Sequence, residues 1–233
     1  MLGASGRRVF GFRGPFGVPV DIDAALIQLI MLIVLAVGVL RGDMVYALMV
    51  IGMITLSIFL HELGHALAAV AQRVHVNRIV LHGFGGYCSH AGAGPRQQLV
   101  IVLGGPLVNL ALWLIAGWLA EQFADTRATD QGLIAVDTQL SYMLGFFAQI
   151  NLLLLIFNML PVLPLDGGRT FFLCLWYFMS RDLAMRITGL VGLIIAILWI
   201  PAAILLFFTA GMILLFFPSI RENWRRFKGE QAN

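Results

Sequence analysis

The sequence predicts an all-α polytopic membrane protein with about six transmembrane helices and a short membrane-associated β-hairpin between the second and third. Two observations carry that expectation. Of the 233 residues, 60% are hydrophobic and 12% charged, and the mean hydropathy is +0.92, a composition far from that of a soluble domain. Apolar runs long enough to cross a hydrocarbon core of about 30 Å recur at about 22–40, 44–72, 97–120, 139–160, 183–200 and 202–217.

The first run follows a stretch of polar and glycine-rich residues, and its length suits a full span, so it reads as a retained helix rather than a cleaved leader. The second contains "FLHELGHALAAV", residues 59–70, with two histidines and a glutamate among side chains suited to lipid. Between the second and third runs, "VNRIVLHGFGGYCSHAGAGP" places β-prone residues on both sides of a glycine turn, which predicts the hairpin. The third run carries "GGPLVN", residues 104–109, where Gly104 and Gly105 favour close helix approach and Asn109 bonds a neighbouring helix or shapes a site. The fourth contains Asn151, read as interhelical glue, and ends at "FNMLPVLPLDGGR", residues 157–169. The last two runs are separated only by Pro201, and a hairpin is expected there because so long an apolar stretch exceeds one crossing.

Charge sets the orientation. With six spans, both termini share a side with the second and fourth loops, and that side holds every Lys and Arg except Arg41 and Arg127. Basic residues collect on the cytoplasmic side of short loops, so both termini are expected on that side, and the compact, accessory-free form points to a prokaryotic cytoplasmic membrane. The net charge of +3 follows from this pattern and calls for no nucleic acid. Cys88 and Cys174 fall in the cytoplasmic half and read as free thiols. The tryptophans lie mostly near span ends, as interfacial aromatics do.

His61 and His65 stand four residues apart, so on a helix they share one face and can hold one metal ion. Glu62 follows the first ligand, where a carboxylate reaches water at the metal. Neutral imidazoles hold Zn²⁺ with a position open, the ion acidifies water, and the glutamate takes the proton. The alternative is a polar cluster that only ties helices together, but the cost of burying three ionisable groups in lipid weighs against it. His61 is seventeen residues past Met44, which puts it about 25 Å along the helix and near the cytoplasmic edge of the core.

A third protein ligand is required, and Asp166 is the candidate. Pro161 and Pro164 stop the preceding helix, while Gly167 and Gly168 permit a tight turn. The competing role for Asp166 is to cap the next helix. His82, Cys88 and His90 in the hairpin raise a second metal site, but their spacing fits no strong motif.

"HELGH" followed by "NMLPVLPLDGG", with "GFGG" at 83–86 and "GGPLVN" at 104–109, resembles the site-2 protease family of intramembrane zinc metalloproteases, in its minimal six-span form without PDZ or CBS domain. The resemblance implies one catalytic Zn²⁺ held by His61, His65 and Asp166, with Glu62 as general base and acid, and Asn158 at the substrate backbone or the developing oxyanion. It further implies a single membrane protease domain over residues 1–233, lying in the lipid bilayer and cutting a transmembrane segment of another protein. The hairpin would then receive unwound substrate as an added strand. Two alternatives stand beside this one: a membrane-bound metalloprotease cutting soluble or loop peptides at the cytoplasmic face, and a non-catalytic metal-binding membrane protein. Oligomeric state is not legible in the sequence.

Overall fold

The computed structural model describes residues 8–39, 42–83, 85–129, 132–136, 138–210 and 218–230. In chain order the elements are β1 (Arg8–Arg13), β2 (Pro19–Asp23), α1 (Ala24–Ile33), α2 (Met44–Ala71), β3 (Val76–His82), β4 (Gly85–His90), α3 (Pro95–Gln122), β5 (Asp125–Thr129), β6 (Gly132–Val136), α4 (Gln139–Asn158), α5 (Asp166–Phe178), α6 (Arg181–Ala210) and α7 (Ile220–Phe227).

Local chemistry starts the helices. Asp23 accepts from the Ala25 N–H at 2.8 Å, Asp43 from Tyr46 at 2.9 Å and Thr138 from Ser141 at 3.0 Å, each satisfying an amide that the first turn leaves without a partner. At α3 a proline takes the first helical position, and Gln97 reaches back to accept from the Gly94 N–H at 3.0 Å.

Among the described residues, α2, α3, α4 and α6 are long and apolar enough to cross a membrane, which makes this an integral membrane protein. Two of the six expected runs, the first and the last, fall outside these four. The first run forms the ten-residue α1 and continues as a π-helical turn over Val34–Val39, too short for the same criterion. The hairpin at Pro201 is absent, because α6 runs through that proline without a turn. An interior proline removes one backbone bond, and adjacent turns or helices in an apolar bundle accommodate the loss. Residues 211–217, the rest of the sixth run, lie outside the described ones.

The expected hairpin forms as β3 and β4, but within a larger sheet of order β1-β2-β3-β4. The first two strands, unforeseen from sequence, pair with each other antiparallel, and β2 pairs with β3 parallel through Val20 and Ile79. Asp21, buried on β2, lies between Arg8 at 3.0 Å and Arg78 at 3.5 Å on the flanking strands. One face of the sheet covers the C-terminal half of α2: Val20, Val76, Ile79 and Leu81 bury against Ala66 and Ala69, with Ile101 of α3. A second, two-stranded ribbon of β5 and β6 joins α3 to α4.

α2 and α3 touch backbone to backbone. A Cβ on Gly64 would stand 2.5 Å from the Gly104 carbonyl oxygen, and one on Gly104 would stand 2.5 Å from that of Gly64. Only glycine at both positions permits that approach, and it brings the histidine face of α2 against α3.

Candidate metal centre

His61, Glu62 and His65 are all buried on α2. Each histidine has a second partner that fixes its ring. His61 Nδ1–H donates to Asn109 Oδ1 on α3. His65 Nδ1–H donates to the Ile101 carbonyl at 2.8 Å. Both rings thereby present Nε2 inward, the arrangement in which a neutral imidazole offers a lone pair to a metal while its other nitrogen is anchored.

Asp166 comes from a different part of the chain and meets them there. It is the first residue of α5, and Leu165 rather than Asp166 holds the N-cap position, so the capping role considered from sequence is not the one observed. Its Oδ2 lies 3.0 Å from His61 Nε2 and 3.1 Å from His65 Nε2, and the two nitrogens are 3.1 Å apart. The imidazole planes stand at 87° with centroids 4.7 Å apart. The positive end of α5 favours a charged carboxylate at this place.

These three atoms form a nearly equilateral triangle that fits one metal ion. Tetrahedral zinc with bonds of about 2.0–2.1 Å needs ligand atoms about 3.3 Å apart, close to the edges observed. The space opposite α2 is kept clear by Gly105: a Cβ there would stand 2.5 Å from His65 Nε2 and 2.6 Å from His61 Nε2. Two neutral nitrogens and a carboxylate suit zinc.

The polar chain continues away from the triangle. Asn109 donates to Asn151 Oδ1 at 2.8 Å, and Asn151 donates to Ser57 Oγ at 3.0 Å and to the Phe147 carbonyl at 2.9 Å. Asn109, Asn151 and Ser57 are fully buried. The network links α2, α3 and α4 and returns to α2 one turn before His61, so the ligand ring is tied to its own helix through two others.

Glu62 packs against β4, where a Cβ on Gly86 would stand 2.6 Å from Glu62 Cγ and 2.9 Å from Oε1. The strand therefore passes with its bare backbone along the carboxylate. Asn158, the last residue of α4, is half-buried, and no hydrogen bond among the described residues joins it to the three ligands. His82, Cys88 and His90 do not converge: in the β3–β4 register they sit opposite Gly85, Ile79 and Val76. Among the described residues, only His61, His65 and Asp166 gather as a metal-binding group. Burial pushes the Cys88 thiol up to about 12, and the Glu62 carboxylate adds to the shift.

Sequence reasoning missed Gly105, assigned there to helix packing alone, and left Asn109 between packing and site. The signals for Asn109 were an amide in an otherwise apolar run and its place in "GGPLVN". Gly86 was legible only as part of "GFGG", because a glycine in a hairpin otherwise reads as turn chemistry.

Residues 49–201 match the model of peptidase family M50. A putative zinc metalloprotease of Synechocystis sp. is 32% identical over 69% of this chain and 42% of its own length. Stage IV sporulation protein FB of Bacillus subtilis is 29% identical over 83% of this chain and 64% of its own length. The chain thus spans about two-fifths to two-thirds of the length of these curated relatives. A site-2 protease from Methanocaldococcus jannaschii has a similar fold, with a TM-score of 0.64 and 21% identity over 96% of both chains.

Proposed function

The chain belongs to peptidase family M50, and from that premise we propose that it is a membrane-embedded zinc metalloprotease that hydrolyses a peptide bond within or near a transmembrane segment of another protein. The observation that carries the reading is the buried triangle of His61, His65 and Asp166 among apolar helices, with Glu62 one residue from the first ligand. Zinc bound there would acidify water and polarise a carbonyl.

The chain's own residues supply the rest. Glu62 takes the proton of the attacking water and hands it to the leaving amine. His61 and His65 turn Nε2 toward the metal position because their Nδ1–H groups donate to Asn109 and the Ile101 carbonyl. Asn158 meets the substrate backbone or the developing oxyanion from the end of α4. An unwound substrate segment adds to the outer edge of β4, which among the described strands pairs only with β3 and runs along Glu62. Residues 1–233 act as one membrane domain, with both termini on the cytoplasmic side, where the basic residues collect.

The test is reconstitution in proteoliposomes with single-span candidate proteins, with the products mapped by mass spectrometry. Wild type is expected to cut inside the hydrophobic segment, and Glu62→Gln to keep zinc while losing about 10²–10⁴ in rate. Cleavage confined to extramembrane loops would overturn the intramembrane reading. Undiminished cleavage by Glu62→Gln would overturn the assigned base.

A further inference from the structure

The segment that delivers Asp166 has a second anchor far along the chain. α7 lies against α6, where Gly189 and Gly192 occupy one face three residues apart. A Cβ on Gly189 would stand 2.8 Å from the Asn223 carbonyl oxygen, and one on Gly192 would collide with the Asn223 side-chain oxygen. The two glycines let α7 settle so that Asn223 is fully buried.

The Asn223 amide then turns to the metal-ligand segment. Its Oδ1 accepts from the Leu163 N–H at 3.3 Å, and its Nδ2 donates to the Leu163 carbonyl at 3.0 Å and to the Ser219 carbonyl at 2.8 Å. Both backbone groups of Leu163, itself buried, are thus satisfied by one side chain, in the way a paired strand would satisfy them. Buried backbone groups require such partners. Leu163 is three residues before Asp166. The opposite side of the same segment is closed by Gly168, where a Cβ would stand 2.7 Å from the Val162 carbonyl carbon and 2.9 Å from the Leu163 nitrogen. The Leu165 N–H closes the turn by donating to the Val162 carbonyl at 3.0 Å. The segment is held from within by its own glycine and from outside by Asn223.

We propose that Asn223 is a positioning residue for the metal centre: by clamping both backbone groups of Leu163, the C-terminal helix α7 sets where Asp166 Oδ2 meets His61 and His65. This rests on the zinc reading above and extends it to a residue fifty-seven positions beyond the last ligand. A purely structural role predicts lost thermal stability with an unchanged metal site. Positioning predicts a changed metal site in a protein that is still folded.

The experiment compares wild type, Asn223→Leu, Asn223→Asp and Arg221→Ala in detergent, using zinc competition against a chromophoric chelator and the visible spectrum of the cobalt-substituted proteins. Arg221 is on the exposed face of α7, and Arg221→Ala is expected to match wild type. Asn223→Leu is expected to lose about 10–100-fold in zinc affinity, the range for residues that orient ligands, and to change the cobalt bands. Asn223→Asp keeps the acceptor for the Leu163 N–H but faces its carbonyl without a donor, so it should fall between the two. Folded Asn223→Leu with wild-type zinc affinity and cobalt bands would overturn the proposal while leaving the zinc reading intact. A wild type that takes up no zinc would overturn both. If Asn223→Leu does not fold, Gly192→Ala, which displaces the same amide by a methyl group, is judged by the same two readouts.

Discussion

Replacing Gly105 with alanine separates stability from metal binding. A methyl at that position stands 2.5 Å from His65 Nε2 and 2.6 Å from His61 Nε2, where ordinary van der Waals contact begins at 3.4 Å. The rings must therefore retreat by 0.8–0.9 Å, several times the tolerance of about 0.2 Å for metal–ligand distances. The helices cannot open easily to absorb the methyl, because α2 and α3 already meet backbone to backbone at Gly64 and Gly104. Helix propensity favours alanine by about 1 kcal/mol, and overpacking costs about 1–3 kcal/mol, so the apoprotein should lose no more than about 2 kcal/mol. Zinc affinity should fall at least about 100-fold, more than for loss of a supporting hydrogen bond alone. The assay is zinc competition by a chromophoric chelator, paired with thermal unfolding of the metal-free protein. Gly117→Ala is the control on the same helix, since its nearest neighbour is the Ala148 Cβ at 4.0 Å; it should bind zinc like wild type. A Gly105→Ala protein that bound zinc within threefold of wild type would refute the placement of this glycine over the ligand triangle.

Two further outcomes follow from the same geometry. Asn109→Leu leaves the His61 Nδ1–H and the Asn151 Oδ1 without their partner, so thermal unfolding should show a loss of about 2–6 kcal/mol for the two buried groups, with zinc affinity down about 10–100-fold; Asn109→Asp, which keeps an acceptor for His61, should recover part of that affinity. With Cys88 pushed up to about 12, only about one thiol in ten thousand is thiolate at pH 8, and thiolate is the reactive form. In a Cys174→Ser background, iodoacetamide at that pH should leave folded protein unmodified by mass spectrometry and label it after denaturation, with native labelling rising as the pH is raised; rapid native labelling at pH 8 would contradict the burial.

The sequence by itself determined the membrane character, the helical identity of the second, third and fourth runs, and the choice of His61, His65 and Asp166 as one candidate metal group. These are local properties: hydropathy over twenty residues, a four-residue spacing on one helix face, a proline–glycine pattern that ends one helix and begins another. What depended on partners distant in the chain was not legible. β1 and β2 look like an unstructured polar, glycine-rich stretch until β3, more than fifty residues later, supplies the pairing for Val20. Pro201 reads as a break because a proline cannot donate a backbone hydrogen bond, and only the surrounding fold decides that α6 continues through it. Gly105, Asn109 and Asn223 have ordinary sequence contexts, and each acquires its place through a single close approach: to the histidine rings, to the His61 proton, and to the Leu163 backbone. Residue type and short spacing name the ligands, but the distances that make them one site are set by backbone contacts between helices, and those exist only once the chain is packed.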